Sequence, residues 1–193
     1  MKRNKIVAIT GGIGSGKSTV LSIVKELGGI TASADEFNRV LLADRSYLEG
    51  LKKLFPTAFV DENLDRSVLR NLVFSDTEKL KKLNEYAHSS IWKKIEEFIV
   101  ERDENVFIEI PLLTGEDFHI GLFDKIWVTI SSSSIKRAAI RDNVSEESIT
   151  SIAHNQISDK DRVKIATDII INDGDSFELK NRVEELYFSL NER

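Results

Sequence analysis

Apolar positions along the chain fall into two patterns: short β-branched runs, and longer stretches with three- and four-residue spacing. Residues 5–10, with Ile6, Val7 and Ile9, read as a buried strand, and residues 17–27, with Val20, Leu21, Val24 and Leu27, as a helix closed by Gly28-Gly29. Ile30–Ser33 predicts a second short strand ending at Asp35. From Glu36 to about Arg102 strand patterning is nearly absent. Leu80, Leu83, Ala87, Ile91, Ile95 and Phe98 recur there as on one face of a long amphipathic helix. Strand pattern returns at 106–110, stopped by Pro111, and at Lys125–Ile130. The serines at 131–134 are expected to cap a helix carrying Ile135, Ala138 and Ala139. Two charged helical segments (146–157 and 159–166), a strand at Asp168–Ile171, an Asn172-Asp173-Gly174 turn and a helix over 175–190 complete the chain. Alternating strands and helices predict an α/β fold with a mainly parallel sheet flanked by helices. One domain is expected, with a helical insertion at 36–102 and a mobile lid at 143–165.

Between the first strand and first helix, Gly11, Gly16, Lys17 and Ser18 fill the spacing G-x-x-x-x-G-K-[ST]. The strand before and helix after are the context a phosphate-binding loop requires. Gly12, Gly14, Ser15, Gly16 and Thr19 would present backbone N–H groups to a nucleoside triphosphate. Lys17 would reach the β- and γ-phosphates, and Ser18 would offer its hydroxyl to Mg²⁺.

Such a loop occurs in GTPase switches, motor ATPases and small-molecule kinases. The chain has neither a D-x-x-G switch nor an N-K-x-D guanine reader, and Val106-Phe107-Ile108-Glu109 matches only in part the apolar strand ending in Asp of a motor. Length, helical insertion and a late arginine-bearing segment favour a small-molecule kinase. Asp35, at the carboxyl end of a predicted strand, is the candidate catalytic base; the alternative is an N-cap for the helix from Glu36. Arg137 and Arg141, four apart on one helix, form a candidate clamp for ATP phosphates, with Arg141 also catalytic. The alternative for Arg141 is a surface pair with Asp142.

Composition narrows the partners. Charged residues are 31% and hydrophobic ones 41%, with net charge −5 and the basic residues interspersed, which disfavours nucleic acid. No apolar run spans a bilayer, and the N-terminal stretch Met1 to Lys5, basic through Lys2, Arg3 and Lys5, runs into the first strand without a signal-peptide core, so a cytoplasmic location is expected. The absence of cysteine excludes disulfides and thiolate metal sites, and His88, His119 and His154 lack zinc spacing. The reactants are expected to be small molecules, handled by a monomer or weak homo-oligomer.

Several segments together resemble the dephospho-coenzyme A kinase family. They are residues 10–19, Ala34-Asp35, Leu64-Asp65-Arg66 with Leu69-Arg70 and Val73-Phe74, His88, Pro111-Leu112-Leu113, Arg141-Asp142, Gln156, Arg162 and residues 166–174. The resemblance implies a P-loop kinase fold that uses ATP and Mg²⁺ to phosphorylate the ribose 3′-hydroxyl of dephospho-coenzyme A. It implies Asp35 as the catalytic acid position and assigns Arg66, Arg70 and His88 to a helical substrate-binding part. The segment from Arg141 to Arg162 would be the lid and Asn172 would lie near the adenine of ATP, while Thr10, Gln156 and Arg162 join the substrate-binding set. Where the family reads Asp-Ala-Asp, this chain has Ser33-Ala34-Asp35. A nucleoside or nucleotide kinase, or a nucleotide-binding regulator with little turnover, are the alternatives.

Overall fold

The computed structural model describes residues 4–115, 117–154 and 156–190. Residues 1–3, in the basic N-terminal run, and Asn155, inside the predicted 146–157 helix, lie outside them. In chain order, β1 (Ile6–Gly11), α1 (Lys17–Glu26) and β2 (Ile30–Ser33) are followed by α2 (Ala34–Leu41) and α3 (Arg45–Leu54). A hairpin of β3 (Phe59–Val60) and β4 (Asn63–Leu64) precedes α4 (Arg66–Phe74) and α5 (Thr77–Val100). Then come β5 (Val106–Glu109), β6 (Lys125–Ile130), α6 (Ser134–Asp142), α7 (Glu146–His154), α8 (Asp159–Ile165), β7 (Asp168–Ile171) and α9 (Ser176–Ser189). Contacts divide the chain into two compact units, Ala34–Glu101 and the residues on either side of it.

The first unit is built on a five-stranded sheet of order β2-β5-β1-β6-β7. Every pairing in it is parallel, with Ile9 opposite Glu109 and Gly11 opposite Thr129 across the two flanks of β1. A central parallel strand is covered on both faces, which is why β1 is a continuous apolar run and Val7, Ala8 and Ile9 are fully buried. Val7, Ile9, Phe107, Trp127 and Ile170 pack against Val20 and Val24 of α1 and Val183 and Leu186 of α9. Each such side chain contributes roughly 1.5–3 kcal/mol by leaving water. α8 rests on β6 and β1.

The serines before α6 do not cap it as expected. Ser133 occupies the N-cap without a side-chain bond. Instead the Asp173 carboxylate accepts Ser132 N–H at 2.7 Å and Ser131 Oγ–H at 3.0 Å. An ionised carboxylate is the stronger acceptor, so it takes the Ser132 N–H and the Ser131 hydroxyl proton, while Ser131 Oγ accepts the Ser133 N–H at 3.3 Å.

The helical unit has its own core, with Leu41, Tyr47, Leu51, Phe55, Leu69 and Val73 packed against Leu80, Leu83, Tyr86 and Ile91. Three of its helices start on aspartates: Asp44 caps α3, Asp65 caps α4 and Asp76 caps α5. The β3–β4 hairpin lies in a region expected to lack strands. Its turn places Asp61 and Glu62 at φ 44° and 67°, the left-handed pair of a tight hairpin turn, whose usual signal is Asn-Gly or Asp-Gly.

Candidate functional site

The loop between β1 and α1 turns through two left-handed glycines, Gly14 (φ 74°) and Gly16 (φ 102°). A Cβ at Gly14 would collide with the Ser134 carbonyl oxygen, and one at Gly16 with Asn172 Nδ2, so both positions need glycine for conformation and for space. Gly16 is the N-cap of α1, no side chain caps the helix, and its first turn contains no acidic residue. Its first N–H groups and the positive end of its dipole therefore face outward, as an anion site requires. Lys17 Nζ donates to Gly12 O at 3.0 Å, which keeps the ammonium over the loop. Ser18 and Thr19 are exposed in the first turn.

A cavity of about 290 Å³ opens here, lined by Gly14, Gly16, Lys17, Ser18 and Thr19. Its other wall is Arg137, Ala138 and Arg141 of α6, with Asn172 beyond β7. The structure thus brings together, around one space, the loop lysine, the first-turn hydroxyls and both arginines. Arg141 also donates to both carboxylate oxygens of Asp142, at 2.7 and 2.8 Å. Those hydrogen bonds hold the Arg141 pKa above its ordinary value and that of Asp142 below. The surface pair and the cavity position coexist.

Five other expected residues brace the loop, belong to it or lie beneath it. Gln156 Oε1 accepts Ile13 N–H at 3.1 Å, and Arg162 Nη2 is 3.4 Å from the same oxygen. Asn172 Nδ2 donates to Ser15 O at 2.9 Å. Ser15 itself is buried, so its side chain is not presented to a ligand, and it serves the loop through its backbone. Thr10, expected from the resemblance to bind substrate, lies beneath the loop. It is fully buried on β1 because the parallel sheet covers both faces of that strand, and its hydroxyl does not reach the surface.

In the helical unit Asp35 is exposed, the second residue of α2. Since α2 starts at Ala34, Asp35 is not its N-cap. Arg66, Arg70 and His88 are exposed on α4 and α5, with the Arg70 guanidinium 5.4 Å from the centre of the Phe74 ring. A cleft of about 170 Å³ in this unit is lined by Asp44, Tyr47, Tyr86, Lys93, Lys94 and Glu97 among others, and not by Arg66, Arg70 or His88.

Glu109 was not among the candidates drawn from the sequence. It ends β5 in register with Ile9 on one side and Ser33 on the other, next to the strand that carries the loop. The partial match at Val106–Glu109 was its only signal; nothing local says that β5 lies beside β1. Among the described residues no group of three or more His, Asp or Glu could hold a metal ion.

A parallel sheet with a glycine-rich phosphate loop at its central strand, and arginines of a later helix on the same cavity, defines a P-loop kinase. A shikimate kinase from Bacteroides thetaiotaomicron shares this fold at 14% identity (TM-score 0.55, covering 97% of this chain and 98% of that one). The chain belongs to the dephospho-CoA kinase family, whose model matches residues 5–178. Dephospho-CoA kinase of Staphylococcus aureus is 33% identical over 190 residues, covering 94% of this chain and 91% of that protein. The one from Dehalococcoides mccartyi is 36% identical over 191 residues, covering 94% and 96%. Among solved structures, dephospho-CoA kinase from Campylobacter jejuni superposes with TM-score 0.72 at 26% identity, covering 96% of each chain. A Thermus thermophilus protein gives TM-score 0.83 at 31% identity, covering 97% and 98%.

Proposed function

We propose that the loop cavity holds ATP for transfer of its γ-phosphoryl group to the ribose 3′-hydroxyl of dephospho-coenzyme A, the last step of coenzyme A synthesis. The observation that carries this is the lining of one cavity by Lys17, Ser18, Arg137 and Arg141 in a chain of the dephospho-CoA kinase family. In the reaction a bond forms between the 3′-oxygen and the γ-phosphorus, the bond from that phosphorus to the β,γ-bridging oxygen breaks, and ADP leaves. The enzyme supplies alignment and charge rather than covalent chemistry. Lys17 and the α1 N-terminus bind the phosphates, Arg137 and Arg141 stabilise the spreading negative charge, and Asp35 takes the proton of the attacking hydroxyl. Mg²⁺ brought with the nucleotide fits the exposed hydroxyl of Ser18, a hard oxygen donor, and would neutralise phosphate charge.

The helical unit is assigned to the acceptor, through Arg66, Arg70 and His88, and residues 143–165 to the lid. Both reactants are small molecules, and we place the reaction in the cytoplasm, in a monomer or weak homo-oligomer. Among the described residues no helix is long and apolar enough to cross a membrane. A coupled assay of ADP release tests the assignment. Dephospho-coenzyme A should be phosphorylated at least about ten-fold better than adenosine or AMP, because binding its remote pyrophosphate helps to position the 3′-oxygen. Preference for a nucleoside monophosphate would overturn it.

A further inference from the structure

Gln156 and Arg162 touch the phosphate loop itself. Gln156 Oε1 accepts the N–H of Ile13, a residue 143 positions away, at 3.1 Å. Arg162 Nη2 lies 3.4 Å from the same oxygen, and Nη1 donates to Asp159 at 2.9 Å. The guanidinium lies against Gly12, where an added Cβ would be 3.4 Å from Nη1. The Arg162 side chain is only 3% exposed, and its Nε has no partner among the described residues. A buried guanidinium with an unused donor is costly to keep, and here it is kept beside a loop built for a polyanion. The glycines of that loop have more backbone entropy to lose than any other residues, so a brace that orders them in advance raises affinity for what they bind.

We propose that Gln156 and Arg162 are positioning residues for ATP: together they hold the peptide between Gly12 and Ile13 in its binding shape and place a buried positive charge against the loop. This rests on the reading that the loop holds ATP. It moves both residues away from the acceptor, where the family resemblance assigned them.

The test compares wild type with Gln156→Met, which keeps the size and removes the acceptor, and Arg162→Met, which removes the charge. Three quantities are read on the full-length protein: the Kd of ATP by calorimetric titration, the KM of dephospho-coenzyme A, and amide hydrogen exchange of the loop peptide. The ATP Kd should rise roughly five- to ten-fold in either variant, the scale of one lost hydrogen bond. Loop exchange should accelerate, while the acceptor KM stays within about two-fold of wild type, since on this proposal both side chains act on the ATP loop. If Arg162→Met does not fold, Arg162→Lys replaces it and should give a smaller rise, because lysine keeps the charge and loses the fork. An acceptor KM that rises while ATP Kd stays constant overturns the proposal, and so does a lowered Tm with unchanged ATP Kd and loop exchange. Failure of wild type to bind ATP would instead defeat the underlying reading of the loop.

Discussion

Asp35 sits one residue inside the first turn of α2 and is exposed. Two quantities separate its possible roles. A carboxylate in a helix's first turn stabilises the fold by about 0.3–1 kcal/mol through the dipole. A general base contributes roughly 10²–10⁴-fold to the rate. Asp35→Asn, nearly isosteric and unable to take the proton, should therefore leave Tm almost unchanged and lower kcat by about two orders of magnitude or more, with little change in the Kd of ATP. Steady-state kinetics together with a thermal melt decide the matter; full activity with a slightly lower Tm would make Asp35 structural. Lys17 and Ser18 were legible as site residues because they act from a contiguous motif whose spacing encodes the turn. Gln156 was legible only through the family resemblance, and its hydrogen bond to Ile13 N–H not at all, because a glutamine in a charged segment looks the same whether it meets solvent or a distant backbone amide.

At the scale of elements, β2, β6 and β7 appear where their β-branched runs and flanking turn residues put them, because short β-branched stretches bounded by turn signals favour the extended backbone. The β3–β4 hairpin was hidden, since strands two residues long carry no periodicity and Asp61-Glu62 is not a usual left-handed turn sequence. The turn after β7 does more than reverse the chain. Asp173 fastens the stretch between β6 and α6, and the backbone N–H of Ser132, followed by the Ser131 hydroxyl and the charge of Arg137, holds its carboxyl below the usual carboxylate range. A pKa lower in the folded than in the unfolded state contributes stability above the unfolded value, about 3.9, and loses it as pH falls through the folded value. Asp173→Asn should thus be less stable than wild type by a constant margin near neutral pH, and that margin should shrink as pH drops below about 4. Urea unfolding at several pH values measures it, and a margin independent of pH would mean that Asp173 acts by shape alone.

For the whole molecule, the division into a sheet unit and a helical unit suggests separable kinetic effects. The proposed ATP residues all belong to the first unit, whereas Asp35, the proposed base for the acceptor hydroxyl, and Arg66, Arg70 and His88 belong to the second. Arg66→Ala and His88→Ala are exposed substitutions, for which stability changes of about ±0.5 kcal/mol are usual. Each should raise the KM of dephospho-coenzyme A several-fold and leave the Kd of ATP within experimental error; an equal loss of ATP affinity would refute the division of labour. The sequence alone determined the phosphate loop, the α/β class, most strand positions and the helical character of the middle third. All of these are local: they follow from spacing, periodicity and residue-specific backbone freedom within one or two turns of chain. Only the tertiary structure decided that β5 and β6 flank β1, that Glu109 ends beside the loop strand, that Arg137 and Arg141 line the cavity of Lys17, and that Gln156, Arg162 and Asn172 reach the loop. Those contacts join residues up to 157 positions apart. Strand order in a parallel sheet is set by which crossovers bury the most apolar surface, a property of the assembled core that no window of sequence contains.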